Sequence, residues 1–254
     1  MLERKTRVSS VLERTRSELS LRGVPRYSQK AVMLAEIAMP HFKETERLNC
    51  SRQLSAGTAP GSILLRLRQD TSQHHAEVER RVDILHRVSS PASYRMLLGK
   101  FYGLHSTLEA QVYTTDSPVL TWLPDLQLRR RTSALRADLA ALGVPDPGCL
   151  SVAPPQALGT AAQHFGCLYV MEGSTLGGQV IAGHVHEHLG LTSGNGCDFF
   201  TGHGAQTGAR WSRFCSSIEA FALSRPAAHE EIVSAAMSVF RLFGNWMENK
   251  DDSF

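Results

Sequence analysis

The sequence predicts an all-α protein, a single domain of six or more helices. Three observations predict it. Apolar residues recur at three- and four-residue steps over long stretches, the period of one helix face. No alternating apolar–polar run of strand length occurs. Proline falls between the periodic stretches rather than inside them.

The first helix follows a linker rich in small residues and breakers, Ser51 to Gly61. Its stripe is Leu64, Leu67, Thr71, His75, Val78, Val82 and Leu85. The run Ser89-Ser90-Pro91 stops it, and a second helix is expected over 93–113. Pro118 and Pro124 mark an irregular connection; a third helix is expected over 128–142, closed by Gly143 and Pro145. Pro154 and Pro155 stand at the entry to a long segment with no proline until Pro226. Gly194 and Gly196 break that segment, and two further helices fit 205–223 and 227–247. The periodic region is therefore 62–248, preceded by a basic extension and linker at 1–61 and followed by a short tail at 249–254. No internal repeat is visible.

Composition sets the class. Of 254 residues, 42% are hydrophobic and 20% charged, enough apolar surface for a sizeable core. No apolar run approaches the roughly 20 residues that span a bilayer. The N-terminus lacks the apolar stretch of a secretory signal. Five cysteines are scattered without paired spacing, which reads as reduced thiols and a cytoplasmic setting. Residues 1–60 carry 11 Lys/Arg against 6 Asp/Glu, but no basic–aromatic interleaving points to nucleic acid. The extension reads as a poorly ordered arm.

The segment YVMEGSTLGGQ (169–179) reads as helix yet carries Gly173, Gly177 and Gly178 within six residues. Each glycine inside a helix costs about 1 kcal/mol relative to alanine. Two readings of that cost stand. The bare backbone lies against a flat ligand, or it lies against another helix at a tight crossing.

A second chemical element is the pair His74-His75 in the first helix. His75 falls on the apolar stripe, whereas His74 is about 100° away and is expected nearer solvent. Glu79, four residues on, lies over His75 on the same face. A carboxylate there can fix one ring nitrogen and leave the other for a metal. An ordinary buried histidine held by an i,i+4 pair fits the same residues. One axial imidazole opposite a side-chain-poor helix surface is, however, the sandwich that a haem with an open sixth position requires.

Three stretches carry a resemblance to a known family. LRQDTSQHHAEVE (67–79) is similar to its LRxxTxxxHxxxE segment. LYVMEGSTLGGQVI (168–181) is similar to its distal-helix signature. FFTGHGAQTGARWSRF (199–214) resembles its late helix with a Trp-x-x-Phe pair. On these residues the chain resembles the bacterial biliverdin-producing haem oxygenases of the bacteriophytochrome-associated type, over roughly 62–246.

The resemblance implies a helical bundle with haem between a proximal helix and a kinked, glycine-rich distal helix. It implies His75 as the iron ligand, Glu79 as the residue that bonds its far nitrogen, and Arg68 as a contact to a haem propionate. It places Gly173 and Gly177, with Gly178, against haem on the distal side. It leaves Arg210 and Arg213 as alternatives for a second propionate, a task that suits a guanidinium. Haem is then both substrate and cofactor, cleaved with O2 to biliverdin, CO and Fe2+. Electrons come from an external donor such as ferredoxin or a reductase, since no flavin or iron–sulfur signature is present. A bacteriophytochrome is the implied acceptor of the product.

One position departs from the pattern. Animal-type members carry aspartate after the first distal glycine; here it is Ser174. Ser174, Thr175, Gln179 or water is then the source of the proton relay. The departure also keeps open a non-catalytic haem carrier or sensor on the same scaffold. His184, His186 and His188 read as a solvated helix end, His164 as packing, and Trp122, Trp211 and Trp246 as core residues.

Overall fold

The computed structural model describes residues 61–248. The basic extension, apart from Gly61, and the tail lie outside the described residues. Among these, regular structure is helical and no strand is formed; Thr192 makes only isolated bridges to Asn195 and Gly196. No helix among them is long and apolar enough to cross a membrane.

Helix α1 spans Ile63–Val82 and starts on Ser62, whose side chain accepts from the Leu65 N–H. Leu67, Thr71 and Val82 of the stripe are buried, and so is Ile63 beside it. The helix ends earlier than the stripe suggests. Asp83 turns left-handed (φ 41°) and its N–H caps the Glu79 carbonyl. A short helix α2, Ile84–Arg87, then changes direction, and this leaves Leu85 47% exposed. Pro91 does not stop a helix here. It occupies the first turn of α3 (Pro91–Val112), where its missing N–H costs nothing, behind a capping box of Ser90 and Ser93.

The expected third helix divides in two. Leu126–Arg129 is a 3-10 turn, and α4 runs over Thr132–Ala141. The break is held by Glu109, which accepts from the backbone N–H of Arg131 (2.7 Å) and Thr132 (3.1 Å) and from the Thr132 hydroxyl (2.6 Å). A buried carboxylate on α3 thus satisfies the free N–H groups at the start of α4.

The glycine-rich segment is one helix, α5, from Ala161 to Leu189, opened by a Thr160–Gln163 capping box and closed by Gly190 in the left-handed region. After α6 (Asp198–Thr201) come α7 (Thr207–Ser224) and α8 (His229–Glu248). Helix α8 packs along both α1 and α5. It runs parallel to α1, tied by Arg66–Glu230 at one end and Arg81–Glu248 (3.3 Å) at the other. It crosses α5 at Gly166, where an added Cβ would meet the Ile232 carbonyl and lie 2.7 Å from Ala235 Cβ. Helix α7 runs the opposite way. Its Glu219 accepts from Ser62 (2.5 Å) and Leu64 (3.1 Å), and its Trp211 meets Tyr169 of α5.

Candidate haem site between α1 and α5

Helix α5 approaches α1 at one point and α2 at another. The Tyr169 hydroxyl lies beside the Thr71 side chain, whose own hydroxyl donates to the Leu67 carbonyl (2.7 Å). Fifteen residues along α5, His184 Nε2 donates to the Leu85 carbonyl (3.0 Å). At about 100° per residue, the arc of α5 facing α1 carries Tyr169, Gly173, Gly177 and His184. The matching arc of α1 carries Arg68, Thr71 and His75. The Tyr169–Thr71 contact therefore lies one turn before a predicted site residue on each helix: Thr71 before His75, and Tyr169 before Gly173.

His75 sits on this facing arc with a side chain 54% exposed. Its Nδ1 is 3.6 Å from Glu79 Oε1, which leaves Nε2 as the outward nitrogen. The ring also meets Phe240 of α8 edge-on, at 5.8 Å between centroids. The expected order of exposure of the two histidines is reversed. His74 is the more buried, and its Nδ1 is sealed with no hydrogen-bond partner. The two rings project about 100° apart on α1, and the flank that carries His74 is the better covered.

The three glycines take three different roles. Around Gly177 an added Cβ would find nothing within 4 Å. Gly173 faces the Trp211 ring, with Cζ3 and Cη2 at 3.7 and 3.8 Å from such a Cβ. Gly178 is buried on the other side of the helix, where a Cβ would stand 2.5 Å from the Phe200 carbonyl oxygen. So Gly178, expected at the ligand, is required by packing. The choice between ligand contact and tight crossing has a different answer at each position, and the tightest helix crossing belongs to Gly166, outside the run.

Ser174 is exposed and lies about 100° round from Gly173. Its hydroxyl donates to the Met171 carbonyl (2.7 Å), and that of Thr175 donates to the Glu172 carbonyl (2.6 Å). Both hydroxyl protons are committed to the helix that carries them, a bonding pattern that bends helices.

Arg68 is exposed, two turns before His75 and within about 20° of it on α1. Arg210 and Arg213 are placed elsewhere. Arg210 Nη1 donates to the Leu128 carbonyl (2.7 Å), and Arg213 Nη1 lies 3.4 Å from Asp125 Oδ2. They flank a buried knot on the far side of α5. There Arg129, fully buried, binds Glu172 (2.6 Å), both oxygens of Asp125 (3.0 and 3.1 Å) and the Arg210 carbonyl (3.1 Å). Burial opposes the Arg129 charge, but Glu172 and Asp125 outweigh it and hold the guanidinium charged. His203 lies beside this knot with a buried, unpartnered Nε2. Burial first, then the nearby Arg131, Arg210 and Arg129, pushes its pKa down to about 4.

The other histidines follow expectation. His164 is buried between Ser117 (3.0 Å) and the Leu158 carbonyl (3.2 Å). His188 donates to the His184 carbonyl (2.9 Å) and their rings lie 3.9 Å apart. No group of three or more metal-binding side chains occurs among the described residues.

Sequence reasoning gave no site role to Tyr169, Trp211 or Phe240, which border the α1–α5 space. Tyr169 stood inside the quoted signature, and its position four residues before Gly173 was the available signal. Trp211 and Phe240 are aromatic residues on other helices, and their spacing carries no sign of where they point.

A haem needs an imidazole nitrogen, a flat wall without side chains opposite it, and a cation for a carboxylate. His75 Nε2, the open face at Gly177 and Arg68 supply these on facing arcs, so the residues fit the group. The chain matches the family described as "Heme oxygenase" over residues 62–148 and 151–249. A "Heme oxygenase" of Xanthomonas campestris pv. campestris (strain 8004) is 36% identical over 152 residues, 59% of this chain and 86% of that one. Among solved structures, the fold is similar to the NO- and CO-bound heme oxygenase of Neisseria meningitidis. That likeness has a TM-score of 0.65 at 22% identity, over 75% of this chain and 94% of the other. It is also similar to heme oxygenase from Leptospira interrogans, with a TM-score of 0.60 at 18% identity over 74% and 98% of the two chains. The family match spans most of the chain and covers both facing helices, and the chain belongs to the haem oxygenase family.

Proposed function

We propose that this protein binds haem between α1 and α5 and cleaves it with O2 and externally supplied electrons to biliverdin, CO and Fe2+. The observation that carries the reading is the exposed His75 of α1, with Nδ1 3.6 Å from Glu79 Oε1, together with the open backbone face of α5 at Gly177. Bound haem supplies the iron at which O2 is activated and is itself the molecule consumed. The protein's part is to orient and to exclude. His75 Nε2 ligates, Glu79 holds the imidazole in the right tautomer, and Phe240 limits ring rotation. Arg68 takes a propionate. Gly173 and Gly177 bring main chain, rather than side chains, to the side opposite His75. With the Ser174 and Thr175 hydroxyl protons donated to their own helix, the proton relay runs through water held along α5. A phytochrome is the proposed acceptor of the bilin, a ferredoxin or reductase the electron donor, and the cytoplasm the setting.

Purified protein mixed with haem and ascorbate, or with ferredoxin and its reductase, tests this. The Soret band should fall while a biliverdin band rises. His75→Ala should abolish normal imidazole ligation in a haem titration; unchanged ligation would show the assignment to be wrong. The Ser174 geometry favours one competing reading, a non-catalytic haem carrier. A haem complex that stays intact under turnover conditions would establish the carrier instead.

A further inference from the structure

Trp211 of α7 closes one end of the α1–α5 space. Its ring edge lies 3.7–3.8 Å from where a Gly173 Cβ would be, whereas Gly177, one turn on, faces no atom within 4 Å. The open wall of α5 therefore begins after Gly173, and Trp211 is what ends it. The ring is braced rather than loose. It stacks on Phe214 (5.5 Å, 29°), which is fully buried and sits 6.3 Å from Phe165. On its other side it meets Tyr169 (6.0 Å), whose hydroxyl lies beside Thr71 on α1. Three further aromatic rings brace the indole, and one of them, Tyr169, reaches the helix that carries His75. An aromatic edge held in this way acts as a stop for a flat molecule.

We infer that Trp211 is a specificity-determining residue. Its edge sets how far a planar tetrapyrrole slides along α5 and in which in-plane orientation it rests. That orientation decides which meso carbon lies under the Gly177 face. The inference rests on the haem-binding reading above. It differs from that reading in predicting that Trp211 controls orientation without controlling ligation.

Two substitutions test it. Trp211→Phe keeps a ring on Phe214 but shortens the edge; Trp211→Ala removes the stop. Both should keep haem affinity within about tenfold and retain imidazole ligation. The proportion of in-plane haem orientations, read from the haem methyl resonances of the cyanide-bound ferric complex, should shift severalfold. The biliverdin isomer ratio should shift with it. A merely structural role would not move the orientation ratio. If Trp211→Ala fails to fold, Trp211→Phe decides alone. An unchanged orientation ratio in a folded variant overturns the role of Trp211 and leaves the haem site standing. Unchanged imidazole ligation in His75→Ala overturns both.

Discussion

Helix α5 has two faces built on opposite lines. The face toward α1 is open at Gly177, with Gly173 beside the Trp211 edge and few polar ties. The face away from α1 is sealed: Glu172 and Gly178 are buried there, bonded to Arg129 or pressed against Phe200. One helix thus separates stability from binding by a rotation of roughly half a turn. The sealed face fixes where α5 sits, so the open face needs no supporting contacts of its own and is left for a ligand. This predicts that substitutions on the sealed face act on folding, and those on the open face on haem.

The largest effect is expected at the knot. Arg129→Met would leave Glu172 buried without its partner and free Asp125. Breaking a buried pair from one side costs about 3–5 kcal/mol. Urea denaturation of the haem-free protein measures it. A cost below about 1 kcal/mol would mean that the knot is solvated and that α5 is fixed by other contacts.

Gly178→Ala comes next. The new methyl would meet the Phe200 carbonyl, which is backbone and cannot rotate away. Overpacking of this kind costs about 1–3 kcal/mol, more than alanine returns in helix propensity. The midpoint of thermal unfolding should fall while haem affinity per folded molecule holds.

A smaller, pH-dependent effect comes from His203. Unfolded, it takes up a proton near pH 6.5; folded, it does so only near pH 4. Between those values the unfolded chain binds the extra proton. Stability should therefore be intact above pH 6.5 and decline as pH falls toward 4. After discounting for partial exposure, the loss is on the order of 2 kcal/mol. His203→Gln should flatten this limb of the urea midpoint against pH; an unaltered limb would place the titrating group elsewhere.

The open face was more legible in the sequence than the sealed one, for a physical reason. Thr71, His75 and Glu79 follow the helix period, and glycine in a helix announces itself through its cost. Arg129 and Glu172 are 43 residues apart and charged, so each reads alone as a solvated surface residue. Asp83 hid the end of α1 because its left-handed turn is one that glycine usually takes. His74 and His75 show the limit of a stripe: it gives the apolar face but not which flank of that face the neighbouring helices will cover.

Gly177→Ala should give the smallest stability change, and with the opposite sign to Gly178→Ala. Its methyl would enter space with no atom within 4 Å, so no clash offsets the gain of up to about 1 kcal/mol from replacing a helical glycine. The haem-free protein should become slightly more stable. That methyl, however, projects into the face opposite His75, so haem affinity or turnover should drop even as stability rises. Denaturation and haem titration on the same preparation separate the two. A variant gaining stability with haem binding and cleavage unchanged would mean that haem does not rest against Gly177. A variant losing stability would mean that the space above Gly177 is filled by the protein itself. Only the combination of a more stable fold and a poorer site fits a glycine retained for what lies against it rather than for the helix that contains it.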